Sequence, residues 1–316
     1  MASDHTWIFP VLTSICALAA FFIGYAIGVG NGDENAWLSY ISDGGAIPPQ
    51  SCIFGQLLNL SAVFMAITVY LRYQQYIEFY KGRPQFSEGF WRKFNFGTMI
   101  LGFVVAFGIS VVANFQEGAI FICHMTGALV AFIGAVVYCW AQILISYKLT
   151  PRMTPLCLNH TRVVLISGST IALIFHILCE FVEPFVEDPN NVGKPSSTNG
   201  ILKIGKDSPY YTNHIVTTFA EWSMAILLEL FVLTFACDLW KFRVEGPKVS
   251  LKTSHEANGT VLESNPINGC YSDDLGSWNQ HPRIRFEDSS DFDQRRSMKS
   301  TSAAAPLSSS RVTDMY

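Results

Sequence analysis

Six apolar stretches constrain this chain more than any other feature: residues 7–29, 52–73, 96–113, 119–147, 163–181 and 215–239. A bilayer's hydrocarbon core is about 30 Å thick and takes about 20 apolar residues as helix, so each stretch is long enough to cross it. Backbone polar groups in lipid must be satisfied internally, which makes every such stretch a helix. Half of the 316 residues are hydrophobic and 15% are charged, against roughly 25% charged in a soluble domain. The expected fold is therefore an all-α membrane protein, a six-transmembrane-helix bundle over residues 1–240 with a disordered cytoplasmic tail over 241–316. The first stretch lacks a basic leader and outruns the roughly 7–15 apolar residues of a signal core, so it reads as a retained helix.

Orientation follows from Lys and Arg in short loops, which stay on the cytoplasmic side. Arg72, Lys81, Arg83, Arg92 and Lys93 flank or line the second connection, Lys148, Arg152 and Arg162 the fourth, and Lys241, Arg243, Lys248 and Lys252 open the tail. The first connection, 30–51, and the turn at 114–118 carry neither Lys nor Arg. Lys194, Lys203 and Lys206 dissent, but Glu183, Glu187, Asp188 and Asp207 in the same loop offset them. Both termini are expected in the cytoplasm.

Cys16, Cys123, Cys139, Cys179 and Cys237 fall within spans, and no CxxC or Cys/His spacing suggests zinc. Neither a metal nor another cofactor is expected. Sequons stand at Asn59, Asn159 and Asn258; the first lies inside a span and the others on the cytoplasmic side, so none should carry a glycan. The net charge of −4 gives no reason to expect a nucleic-acid partner. After residue 240 the chain turns to Ser, Asn, Asp and Arg with no sustained helical period, the composition of a disordered segment.

An ionisable residue inside a membrane is costly and so draws attention first. His176 and Glu180 share one face of the fifth span, with Glu183 continuing it. His124 lies in the fourth span, His214 and Glu221 near the start of the sixth, and Asn114 and Glu117 in the intervening turn. Together they predict a polar crown on the lumenal side. Imidazole and carboxylate suit a metal or a proton relay; the same groups also serve to pair with each other and fix helix packing. No GxSxG or HExxH accompanies them, and no catalytic residue is assigned. Glu229 falls near the middle of the sixth span and, with His176 and Glu180, completes a candidate polar cluster. Gly97, Gly102 and Gly108 in the third span, with Gly127 and Gly134 in the fourth, are placed for close helix contact.

The most distinctive text is Tyr40-Ile41-Ser42-Asp43-Gly44-Gly45-Ala46-Ile47-Pro48-Pro49-Gln50-Ser51-Cys52. Asp-Gly-Gly makes a turn, and Pro-Pro a stiff step into the second helix. With Phe54-Gly55, Val112-Ala113-Asn114-Phe115-Gln116, His124, Gly127-Ala128 and Thr217-Thr218-Phe219-Ala220-Glu221-Trp222-Ser223-Met224, it resembles the DNA-damage-regulated autophagy modulator family across roughly residues 5–245. The resemblance implies a six-span protein of lysosomal or late endosomal membranes that promotes autophagy without catalysis. It marks Asp43, Pro48, Pro49, Asn114, His124, Glu221 and Trp222 as family-motif positions. Its wider group implies a second class of activity, remodelling or control of glycosylphosphatidylinositol lipids or phosphoinositides, and a plasma-membrane location as the alternative. A proton or ion transporter built on Glu229 is the third class. Expected partners are the bilayer itself and cytoplasmic proteins reached through the loops and tail.

Overall fold

A computed structural model describes residues 2–245, except 38, 88, 189–192, 196, 198 and 199. The expectation of a disordered tail falls, beyond residue 245, outside the described residues. The helices are α1 (Ile8–Gly30), α2 (Gln50–Phe79), α3 (Pro84–Ser87), α4 (Phe90–Asn114), α5 (Phe121–Lys148), α6 (Leu156–Phe181), α7 (Tyr211–Leu233) and α8 (Phe235–Leu239). Six spans result, with α7 and α8 forming the last, each long and apolar enough to cross a membrane. The chain is a multi-pass membrane protein.

Short connections make consecutive spans antiparallel neighbours. They run round a ring in chain order, α1 on α2, α2 on α4, α4 on α5, α5 on α6 and α6 on α7, and α7 closes it against α1. Large apolar side chains such as Val63, Phe107, Ile122 and Val164 stand exposed on the outside, where lipid replaces water as their solvent. Inside, glycines set the helix spacing. A Cβ on Gly55 would lie 2.7 Å from the Ala113 carbonyl oxygen, and one on Gly108 would lie 2.9 Å from the Ala131 nitrogen and 3.0 Å from the Gly127 oxygen. Gly102 and Gly134 are equally confined, by Val69 and Val105. Gly97 is the exception: a Cβ there meets nothing within 4 Å, so this member of the small-residue set faces open space.

α1 ends at Asn31, and Gly32, at φ 76°, turns the chain in the left-handed region that terminates helices well. The sixth span departs from its expected unbroken form. Thr234 divides it, with its hydroxyl donating back to the Phe231 carbonyl at 2.6 Å. At the same end of the bundle, Ala2–Ser3 pairs antiparallel with Val244–Glu245, and Thr6 Oγ1 donates to the Leu239 carbonyl at 2.7 Å. The two ends of the described chain therefore share one face. The connection between α1 and α2 lies on the opposite face.

Candidate functional site

The site is built by that connection, residues 31–49, which folds over the bundle as a cap. A 3-10 turn at Ser42–Gly45 seats it: Asp43 Oδ2 accepts the Tyr40 N–H at 3.0 Å. The turn needs glycine because Gly44 lies directly on Gly24 of α1, where a Cβ would come within 3.0 Å of backbone. Pro49 forms the N-cap of α2, so the Pro48-Pro49 step delivers the cap to the helix, as its stiffness suggests.

Side chains of α6 and α7 hold the cap down. Tyr40 donates its hydroxyl to Glu180 Oε2 at 3.0 Å, Ile41 N–H donates to Glu221 Oε2 at 3.1 Å, and Trp222 Nε1–H donates to the Ser39 carbonyl at 2.9 Å. The Tyr40 ring meets His214 edge-on at 5.1 Å between centroids. Trp222 also packs against Phe21, Phe22 and Tyr25 of α1. Two adjacent motif positions, Glu221 and Trp222, thus serve one purpose, clamping residues 39–41 from far along the chain.

Beneath the cap lies a cavity of about 330 Å³. Asp43, Glu117, His124, His176, Glu180 and Glu221 ring its mouth, with Tyr40 and Lys194; Phe54, Leu58, Leu173 and Leu228 are among its walls, and Glu229, Cys139 and Val232 line its lower part. The fold brings His124, His176, Glu180, Glu221 and Glu117 of the expected crown to one cavity, whereas Asn114, Glu183 and His214 are not among its lining. Tyr40 was missed, because a tyrosine in a loop carries no signal until the loop folds back. Burial pushes the Asp43 carboxyl well above the usual carboxylate range, with the neighbouring carboxylates of Glu117, Glu34 and Glu221 adding to it. Burial likewise raises Glu117 and the Tyr40 phenol.

The pairing within the crown differs from the expected one. His176 and Glu180 do not bond each other: the His176 Nδ1 contacts the Thr217 carbonyl at 3.3 Å, while Glu180 turns to Tyr40. His124 Nδ1 lies 2.7 Å from the Phe115 carbonyl. A carbonyl only accepts, so in both rings Nδ1 carries the proton, and a neutral ring presents Nε2 as an acceptor. Among the described residues no group of three His, Cys, Asp or Glu side chains is placed to hold a metal ion. Asn114 stands outside the cavity, exchanging hydrogen bonds with Asn59 of α2 at 3.1 and 3.0 Å. Glu229 lines the floor, and its Oε2 is buried without a hydrogen-bond partner.

A second polar centre, on the face that carries the chain ends, escaped the sequence reading. Arg72 and Arg162, read there as loop-flanking charges, are fully buried, and both bond Asp238 Oδ2, at 3.0 and 2.9 Å. Thr154 donates to the same oxygen at 3.0 Å. Arg162 also donates to the Thr234 hydroxyl at 2.7 Å and carbonyl at 3.0 Å, satisfying backbone freed where α7 gives way to α8. The guanidinium of Arg72 lies 4.5 Å from the Phe235 ring centroid. The spacing Arg72, Gln75, Tyr76 on one helix face was the available signal, since Gln75 and Tyr76 both bond Arg72.

The family model described as Frag1/DRAM/Sfk1/Cwh43P N-terminal domain matches residues 5–242. The human DNA damage-regulated autophagy modulator protein 1 is 34% identical over 252 residues, 80% of this chain and 95% of the relative. Rat DNA damage-regulated autophagy modulator protein 2 is 31% identical over 253 residues, 80% of this chain and 88% of the relative. The Xenopus laevis modulator of macroautophagy TMEM150B-B is 28% identical over 233 residues, 73% and 84% respectively. No solved structure matches the chain.

Proposed function

From the premise that this chain belongs to the Frag1/DRAM/Sfk1/Cwh43P family, we propose that it regulates autophagy as a non-enzymatic protein of lysosomal or late endosomal membranes. The termini then face the cytoplasm and the cap faces the lumen, the orientation favoured by the Lys and Arg distribution. Support for the process comes from relatives named as autophagy modulators that align along the whole helical bundle.

The observation that carries the non-enzymatic reading is the use to which the crown is put. Glu180 and Glu221 each accept a hydrogen bond from the cap, and Asp43 accepts one within it. The carboxylates act as clamps on a loop, and among the described residues no serine, cysteine or threonine side chain is hydrogen-bonded to a histidine ring as an activated nucleophile would be. Cytoplasmic partners are reached through the short loops and the segment after Leu239.

The test is autophagic flux in cells lacking the protein, restored by full-length chain tagged for imaging. Lysosomal residence with flux restored by both wild type and Glu221→Gln supports a regulator. Surface residence with normal flux overturns it and directs attention to membrane-lipid control. The cavity itself favours that second reading, because its polar mouth and apolar walls resemble a lipid's own division. A flux of protons or ions lost in Glu229→Gln would instead support the transporter.

A further inference from the structure

The cavity has one chemical character at its mouth and another below. Phe121 and Cys139 both line it, and at 1.5 Å per residue they lie about 27 Å apart along α5. Between these levels the walls come from Leu58, Met65, Phe132 and Leu228, and no side chain there offers a charge. A volume of about 330 Å³ stands near the lower end of the roughly 300–1,000 Å³ typical of small-molecule sites. The length and narrowness suit one alkyl chain, not two.

The mouth is rich in acceptors and poor in cations. Asp43, Glu117, Glu180 and Glu221 converge there, and every hydrogen bond described to the crown carboxyls comes from a neutral donor: Tyr40 N–H, Ser42, the Tyr40 hydroxyl and Ile41 N–H. Lys194, the cation of the lining, is already bonded to Glu183 at 3.0 Å. His124 and His176 each turn Nδ1 to a backbone carbonyl, and in the neutral form of each ring Nε2 is a further acceptor.

Entry is provided on the membrane side. Phe121 at the start of α5 and Phe181 at the end of α6 both line the cavity, yet they are 55% and 62% exposed on the bundle's outer surface. A chain entering between these two rings would slide sideways from the bilayer while its head stays at the interface.

We propose that the cavity binds a single-chain amphiphile bearing a protonated amine, with the ammonium among Asp43, Glu180 and Glu221 and the alkyl chain in the shaft below. An ammonium offers donors without acceptors, the complement of this mouth. A fatty acid would bring a further carboxyl group to the four already there and no cation, and a fatty alcohol would leave the acceptors short of donors and charge. The site stands on its own geometry and goes beyond the autophagy reading, surviving or failing independently of it.

The test uses full-length protein in phosphatidylcholine nanodiscs and three probes of equal chain length: radiolabelled hexadecylamine, hexadecanol and palmitate. The amine is expected to bind saturably, at least tenfold more tightly than the other two. Glu221→Gln, which keeps an acceptor for the Ile41 N–H, should weaken amine binding by about tenfold, equivalent to about 1.4 kcal/mol, and leave hexadecanol binding unchanged. Asp4→Asn, whose exposed partner Arg243 lies on the face that carries the chain ends, should leave both unchanged. Equal binding of all three probes overturns the proposal, as does loss of amine binding in Glu229→Gln with Glu221→Gln intact, which would put the head at the wrong end. Native mass spectrometry of protein extracted from cells separates two sources of the same chemistry. A co-purifying amine lipid assigns the site to the bilayer, and selective amine binding without one assigns it to amphiphiles arriving from the aqueous side.

Discussion

Arg72 and Arg162 share a single acceptor: one carboxyl oxygen of Asp238 lies 3.0 Å from the first and 2.9 Å from the second, and all three side chains are buried. The centre holds one more positive than negative charge, tempered by the Phe235 ring, which both guanidiniums approach.

Removing Asp238's charge leaves two buried cations without a counter-ion, a loss of about 3–5 kcal/mol by comparison with broken buried pairs. Asp238→Asn is therefore expected to yield little folded protein, read as loss of the monodisperse peak on size-exclusion chromatography. Arg162→Lys keeps the charge and loses the fork to Thr234, so it should lower the melting temperature without abolishing folding. Equal behaviour of Asp238→Asn and wild type would mean the centre contributes nothing to the fold.

This centre also marks where sequence stops being informative. The spans were legible because apolar length in lipid leaves one conformation available. Glu180, Glu221 and His124 were legible as a crown because helix depth follows from residue number. Which residue each would bond was not: Tyr40 and Ile41 reach α6 and α7 through a loop whose path depends on Gly24 meeting Gly44. Arg72 and Arg162 sit near helix ends, where a positive charge ordinarily marks only sidedness, and nothing local reveals that α2 and α6 aim them at one aspartate. The break at Thr234 was hidden for the same reason, since Arg162 from another helix completes it.

Glycine spacing makes a prediction with a built-in control. Gly55→Leu and Gly108→Val put carbon into backbone 2.7 and 2.9 Å away, and overpacking of this kind costs about 1–3 kcal/mol. Gly97→Val meets open space and should melt with the wild type. Thermal unfolding in nanodiscs, followed by tryptophan fluorescence, orders the three; destabilisation by Gly97→Val equal to that of Gly108→Val would refute the packing assigned to α4.

Two of the sequons lie in helices, and Asn258 lies outside the described residues. Asn59 is bonded to Gly55 and Asn114, and Asn159 is fully buried, accepting from Ser146 at 2.8 Å. Glycosidase treatment of protein from mammalian cells should leave its electrophoretic mobility unchanged. A shift abolished by Asn59→Gln or Asn159→Gln would overturn the helix placement of that residue.

The cap should tighten as the solution acidifies. Glu34 tucks against α1 so closely that a Cβ on Gly28 would lie 1.9 Å from its Oε1, and burial pushes its carboxyl from 4.5 up to about 7. A raised carboxyl pKa means that the docked cap binds more protons than the released one. The docked form is therefore favoured below the ordinary value and loses that advantage as pH rises through about 7. Asp43 and Glu117, raised by burial as well, act with the same sign, whereas the Lys203 charge near Glu34 opposes it. Hydrogen exchange over residues 31–49, corrected for the intrinsic rate, is expected to be slower at about pH 5 than at about pH 8. Glu34→Gln should reduce that difference, and adding Asp43→Asn and Glu117→Gln should flatten it. Faster corrected exchange in acid would show that release, not docking, takes up the protons, and would require Glu34 to be ionised against Gly28.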